Sequence, residues 1–199
     1  MKKKNKDLDF LYEIGSLRHL NRTWTQFLRN DVANVSEHIF RVTWIAILLA
    51  KHEKVKNVEK IIKMALVHDI SESRTGDVHY LSRQYNARNE KLAIKDILKD
   101  SVLEKEYLDL WHEYEDRKTI EAKIVKDADN LDVDIELNEQ PLIDERLRKS
   151  WYKIRNKAVY NNFYTKTAKR IWKEIGKSNP HNWHILGRNR FNAGDWKEK

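Results

Sequence analysis

The chain has 199 residues, 40% of them hydrophobic and 35% charged, with a formal net charge of +8 at pH 7; this size and balance suit one soluble domain with a substantial core. No cysteine is present, which excludes disulfides, thiolate catalysis and thiolate-bound zinc, so any metal must be held by histidine and carboxylate. Five glycines and two prolines leave little turn chemistry for a many-stranded sheet, so the expected fold class is all-α, a single compact helical bundle.

At the N-terminus, Met1-Lys2-Lys3-Lys4 is not followed by the apolar stretch of a secretory signal. The longest apolar run, around Trp44 to Ala50, is too short to span a bilayer. A cytoplasmic protein without membrane association is therefore expected. Its positive charge would attract polyanions such as nucleic acid or nucleotides, but the charge is spread along the chain, as in a helical protein kept soluble by surplus lysine.

Phe10, Ile14 and Leu17 follow i, i+4, i+7 spacing and predict a first helix ending near Arg22. Asn34 or Ser36 can cap a second helix with the inward stripe Val42, Ile45 and Leu49. A third carries Val58, Ile61, Ile62 and Ala65, and the polar break Thr75-Gly76-Asp77 follows it. Further helices are predicted over 86–100, 103–117, 119–139, 145–157 and 161–176. Beyond Gly176 the sequence turns to Asn, Pro, His, Gly and Trp and reads as an irregular tail. The expected organisation is one domain over residues 1–176 with a C-terminal extension over 177–199.

The residues that bear chemistry lie on the apolar stripes. His68 continues the stripe of Ile61 and Ala65; Asp69 continues that of Val58, Ile62 and Ala65. His38 shares a face with Val42, Ile45 and Leu49. A buried carboxylate is costly unless paired or bound to a cation, so these positions require partners. A lone buried histidine is more often a satisfied core group than a ligand. Three such residues on two helix faces favour a metal, and imidazole with carboxylate suits Mn, Fe, Co, Ni or Zn better than Ca or Mg. A fourth ligand would come from Asp127, Asp129, Asp132 or Asp134. Spacing does not choose among them: Asp132 lies nearer the stripe of Ile124, Ala128, Leu131 and Ile135 than Asp129 does. Four protein ligands would leave positions for water and a phosphate oxygen, and the ion would acidify the water and screen phosphoryl charge. Glu72 and Asp77 follow closely enough to face the same cavity, and Arg22 could bind an anionic phosphate.

These residues resemble the HD-domain metal-dependent phosphohydrolases, in particular the YfbR-like 5′-deoxynucleotidase branch. The matching text is Asn34-Val35-Ser36-Glu37-His38, Leu66-Val67-His68-Asp69-Ile70-Ser71-Glu72 and Thr75-Gly76-Asp77, followed by Leu110-Trp111-His112-Glu113-Tyr114-Glu115 and the segment Glu121 to Asp129. It covers about residues 8–140. The resemblance implies an HD-type helical domain whose metal ligands are His38, His68, Asp69 and Asp129, the last from the pattern Val-Lys-x-x-Asp. It implies Glu72 as a catalytic residue assisting water or leaving group, and Asp77 as a residue contacting the sugar and excluding ribonucleotides. Arg22, Trp24 and Thr75 fall at substrate-binding positions. The implied cofactor is Co, Mn or a similar divalent ion such as Fe, Ni or Zn; the implied substrate is a deoxynucleoside 5′-monophosphate; the implied assembly is a homodimer.

The chain departs from the bacterial pattern in two places. Thr23 separates Arg22 from Trp24, which are adjacent there, and Val78-His79-Tyr80-Leu81 replaces a proline-containing loop. Two other functions compete with the nucleotidase. One is hydrolysis of a different nucleotide: a triphosphate, a cyclic nucleotide or an alarmone. The other is a non-catalytic nucleotide- or RNA-binding module, which would have no need of a carboxylate such as Glu72 beside a metal.

Overall fold

The computed structural model describes residues 6–28, 32–140 and 144–187. Along the chain run α1 (Asp7–Ser16), α2 (Thr25–Leu28), α3 (Val35–His52), α4 (Val58–Val67), α5 (Glu72–Thr75), α6 (Glu90–Leu98), α7 (Glu104–Asp116), α8 (Ile120–Glu139), α9 (Glu145–Ala158), α10 (Lys166–Ile175) and α11 (Asn182–Ile185), with short 3₁₀ turns between some of them. Among the described residues there is no strand, only an isolated antiparallel bridge between Asn21 and Asn34. The fold is all-α, and no described helix is long and apolar enough to cross a membrane.

The centre of the bundle is α3 packed against α4 and α8, with α7 beside both α4 and α8 and α10 beside α8. α3 forms here because Asn34 and Glu37 make a reciprocal cap. The Asn34 side chain accepts the Glu37 N–H at 3.0 Å, and the Glu37 carboxylate accepts the Asn34 N–H at 2.9 Å. From that start, Val35, His38, Ile39, Val42, Ile45, Ala46 and Leu49 fall on one buried stripe. α4 meets it with Ile61, Met64 and Ala65, and α8 with Ala122, Ile124, Val125, Ala128 and Leu131. Trp111 and Tyr114 of α7 close the core.

Several boundaries differ from the expected ones. α1 stops at Ser16, and a 3₁₀ turn over Leu17–His19 leads into an extended Leu20, so Arg22 sits in a loop rather than near a helix end. That loop is pinned to the start of α3 by hydrogen bonds from Arg22 N–H to the Ala33 carbonyl (3.2 Å) and from Val35 N–H to the Leu20 carbonyl (2.9 Å). α6 is shorter than 86–100 because Asn89 caps its start and the backbone turns extended at Lys99. α10 starts at Lys166, later than 161, since the Asp127 carboxylate of α8 takes the Tyr164 and Thr165 N–H groups at 3.0 and 2.8 Å and the Thr165 hydroxyl at 2.7 Å. The Thr165 hydroxyl in turn caps Ala168 N–H. The region expected to be irregular contains the single turn α11, where Trp183 is exposed. The rest of that tail, including Arg188, Arg190 and Trp196, lies outside the described residues.

Asp127 is thus a structural carboxylate, 1% exposed, that joins α8 to α10. Replacing it with alanine leaves two backbone donors and a hydroxyl without their acceptor. Asp127→Ala is expected to lower unfolding stability by about 3 kcal/mol, read from urea denaturation, with the free-energy loss shared by any probe of α10.

Candidate metal centre

Three segments bring the candidate ligands together. His38 sits one turn inside α3, placed by the Asn34–Glu37 cap. His68 is the first residue past α4, and Asp69 follows on the turn that leads to α5. Asp129 lies midway along α8. One ligand atom from each of His38, His68, Asp69 and Asp129 lies within 4.8 Å of all the others. Two ligands on opposite sides of an ion, each about 2.1 Å from it, are about 4.2 Å apart, so a contraction of a few tenths of an ångström would make one coordination sphere. The His38 Nε2 atom is 3.4 Å from both Asp69 Oδ2 and Asp129 Oδ1, and His68 Nε2 is 3.3 Å from Asp69 Oδ2.

The opposite ring nitrogens show which face each imidazole offers. His38 Nδ1–H donates to Asp132 Oδ2 at 2.6 Å, and His68 Nδ1–H donates to the Ala65 carbonyl at 2.7 Å. In the deprotonated form that a metal would bind, those Nδ1 protons leave each ring's lone pair on Nε2, and both Nε2 atoms are buried without a hydrogen-bond partner. Orphaned buried acceptors facing two carboxylates are what a cation would satisfy, so the donor set fits a divalent metal. Asp132 is itself held by the Arg41 guanidinium, which also reaches Glu139 at 2.6 Å.

The electrostatics agree. Burial and Arg22 oppose a proton on His38, but Asp129, Asp132 and Asp69 overcome them and hold it well above its ordinary range. Burial pulls His68 below its ordinary value. Burial works against ionised Asp129, yet Lys126 and the two imidazoles keep it well below the usual carboxylate range. Asp69 is lowered in the same way against its burial, chiefly by His68 and His38. A place that draws protons onto buried imidazole while keeping two carboxylates ionised draws metal ions for the same reason.

Around this cluster lies a polar cavity of about 160 Å³ lined by Arg22, Glu72, Asp77, Arg88, Arg117 and Lys126 among others. Glu72 begins α5 with its side chain almost fully buried; its Oε2 has no partner and its Oε1 is 3.5 Å from Arg88 Nη1. Burial, reinforced by the Asp69 and Asp77 carboxylates, pushes Glu72 up to about 9. Gly76 ends α5 at φ 73°, a conformation that glycine adopts without strain, and the chain doubles back so that Asp77 meets the Arg22 loop. Asp77 Oδ2 accepts the Thr23 N–H at 2.9 Å and lies 3.3 Å from Arg22 Nε, while Arg22 Nη1 is 3.5 Å from Asp69. Arg22 is 7% exposed, a guanidinium sealed between two carboxylates.

Two expected substrate contacts are placed elsewhere. Trp24 packs edge-on against Trp151 of α9 at 5.3 Å and backs the Arg22 loop without lining the cavity. The Thr75 hydroxyl donates to the Ser71 carbonyl at 3.2 Å, and Thr75 lines a separate shallow groove with Val78 and Asn86. Conversely, the cavity cations Arg88, Arg117 and Lys126 and the supporting pair Asp132–Arg41 were not singled out as site residues by sequence reasoning. For Asp132 a signal existed: it lies nearest the centre of the buried stripe. For Arg88 and Arg117, which lie in loops, there was none.

Comparison with known proteins places these features in a wider group. Residues 14–178 match the HD domain family. A 5′-deoxynucleotidase HDDC2 of Danio rerio is 36% identical over 138 residues, covering 66% of this chain and 68% of that protein. The HDDC2 5′-deoxynucleotidase of Dictyostelium discoideum is 33% identical over 183 residues, covering 86% and 93%. Among solved structures, a conserved hypothetical protein from Pyrococcus furiosus matches at 28% identity with a TM-score of 0.64, covering 86% of this chain and all of that one. The chain belongs to the HD-domain family.

Proposed function

We propose that this protein hydrolyses deoxynucleoside 5′-monophosphates to nucleoside and phosphate, with a divalent transition metal held by His38, His68, Asp69 and Asp129. The observation that carries the reading is the convergence of two buried, unpartnered imidazole nitrogens on two carboxylates at the wall of a polar cavity. The deoxynucleotidase names of the relatives at 33–36% identity supply the substrate class. Co or Mn is the proposed ion, with Fe, Ni or Zn as the alternatives of similar ligand chemistry. The catalytic unit is proposed to span 1–176, with 177–199 an extension, and to work as a homodimer.

When bound, the cation supplies Lewis acidity: it acidifies water and screens the phosphoryl oxygens. The rest is done by side chains. Arg22, fixed between Asp69 and Asp77, faces the cavity with a permanent charge that orients the phosphate. In hydrolysis a water oxygen bonds to phosphorus and the P–O5′ bond breaks. Glu72, protonated at neutral pH by its burial among carboxylates, gives its proton to the departing 5′-oxygen and recovers one from the attacking water. Asp77, held by Thr23 N–H and Arg22, has a fixed carboxylate available to the sugar and disfavours a 2′-hydroxyl at that position. Asp132 acts through His38, fixing its tautomer and ring orientation.

A phosphate-release screen across deoxy- and ribonucleoside mono- and triphosphates, with and without Co or Mn, tests the reading. Release from deoxynucleoside monophosphates that chelator abolishes is expected; salt-sensitive RNA binding without any phosphate release would overturn it. His68→Ala and Asp69→Ala are expected to lose metal and activity together, measured by elemental analysis beside the assay. Glu72→Ala should retain metal and substrate affinity while kcat falls about 10²–10⁴-fold; normal turnover would remove Glu72 from proton transfer. Asp132→Ala should weaken metal affinity about 10–100-fold, seen in a chelator-competition titration, with the four ligands intact.

A further inference from the structure

The end of α7 carries an arginine under unusual constraint. Arg117 terminates the helix in the left-handed region, at φ 52° and ψ 24°, with its N–H bonded to the Tyr114 carbonyl. Glycine or asparagine fills such a position with little strain, whereas a long side chain is strained there by contact between its Cβ and the backbone. Strain of this kind persists where the surrounding structure holds the residue in place.

The side chain is held in the cavity. Its guanidinium carbon lies 3.3 Å from the centroid of the Tyr114 ring, a stacked cation–π contact, and Tyr114 is 3% exposed with its ring edge-on to His68 at 5.5 Å. Arg117 therefore stands one aromatic ring away from a candidate metal ligand, and it lines the same cavity as Asp69 and Asp129. Stacking fixes the plane of the guanidinium and leaves its edge for an acceptor. Nη1 is buried and has no hydrogen-bond partner, while Nη2 meets Glu115 at 3.4 Å. The neighbouring arginines each face two carboxylates, Arg22 those of Asp69 and Asp77 and Arg88 those of Glu72 and Glu90, whereas the carboxylate beside Arg117 is that of Glu115. Lys126 adds a second cation to the same wall, 2.7 Å from Asp129.

We propose that Arg117 is a phosphate-binding residue of this site, its guanidinium edge donating to non-bridging oxygens of the substrate phosphate. The assignment rests on the nucleotidase reading and adds to Arg22 a second residue that holds the anion. A planar fork with an unused donor, pre-set by stacking, matches two phosphate oxygens in geometry and charge.

The test compares wild type with Arg117→Gly and Arg117→Lys in three measurements: the KM for a deoxynucleoside monophosphate, the calorimetric Kd for inorganic phosphate, and Tm. Arg117→Gly is expected to weaken both KM and phosphate Kd about tenfold or more. Inhibition by the deoxynucleoside should be unaffected, and Tm should hold or rise because the backbone strain is relieved. Arg117→Lys should recover part of the phosphate affinity. Unchanged phosphate Kd with a lowered Tm would make Arg117 a structural cap and overturn the proposal, as would equal losses for phosphate and deoxynucleoside. If wild type binds phosphate through Arg117 but releases none from any nucleotide, the nucleotidase reading fails while the anion site stands.

Discussion

The structure depends on the convergence, at one point in a helical core, of two imidazole Nε2 faces and two ionised carboxylates. Burying such groups costs several kcal/mol each unless something compensates them. Part of the compensation is on the protein side: Asp132 and the Ala65 carbonyl occupy the outer nitrogens of His38 and His68, Lys126 stands beside Asp129, and Arg22 stands beside Asp69. What remains uncompensated is the inner face, where both Nε2 atoms lack partners. A fold selected for stability alone would fill that place with apolar side chains. The rest of the bundle can be understood as a scaffold for it: the cap on α3 sets His38, the end of α4 sets His68 and Asp69, and α8 presents Asp129 from the far wall.

The layers around the centre divide the work by charge. Asp132 and Arg41 form a chain that leads from His38 out toward Glu139 at the surface, so the orientation of one ligand is secured from outside the cavity. On the other side, Gly76 turns the backbone so that Asp77 binds the Arg22 loop, joining two segments more than fifty residues apart. Glu72 lies between, buried beside like charges with one oxygen unpartnered, an environment that retains a proton at neutral pH. Carboxyl groups a few residues apart around the cavity thus take different roles, set by their neighbours.

Much of this was legible in the residues, for reasons that differ from place to place. The period of Val42, Ile45 and Leu49 and of Ile61 and Ala65 defined α3 and α4, and polar residues on those stripes marked His38, His68 and Asp69, because a core tolerates such groups only with partners. Periodicity did not choose among the acids of α8, although Asp132 lies nearer the centre of the stripe than Asp129, and the structure places the two differently. The centre of the stripe points into the protein, where Asp132 is wholly buried against His38, whereas a residue facing a cavity sits off-centre, as Asp129 does. The resemblance to known sequences singled out Asp129; spacing could not. Helix ends were legible where a side chain caps locally, as at Asn34, and illegible where a distant group decides, as when Asp127 claims the backbone before α10. Arg88 and Arg117 belong to loops without periodic signature, and only three-dimensional placement brings them to the site.

His38, His68, Asp69 and Asp129 are proposed to form one coordination sphere. Crystals grown with Co or Mn and measured across the metal's absorption edge test it most directly. A single anomalous peak is expected about 2.0–2.2 Å from His38 Nε2, His68 Nε2 and one oxygen each of Asp69 and Asp129. A peak elsewhere, or none there at saturating metal with the side chains still as described, would contradict it.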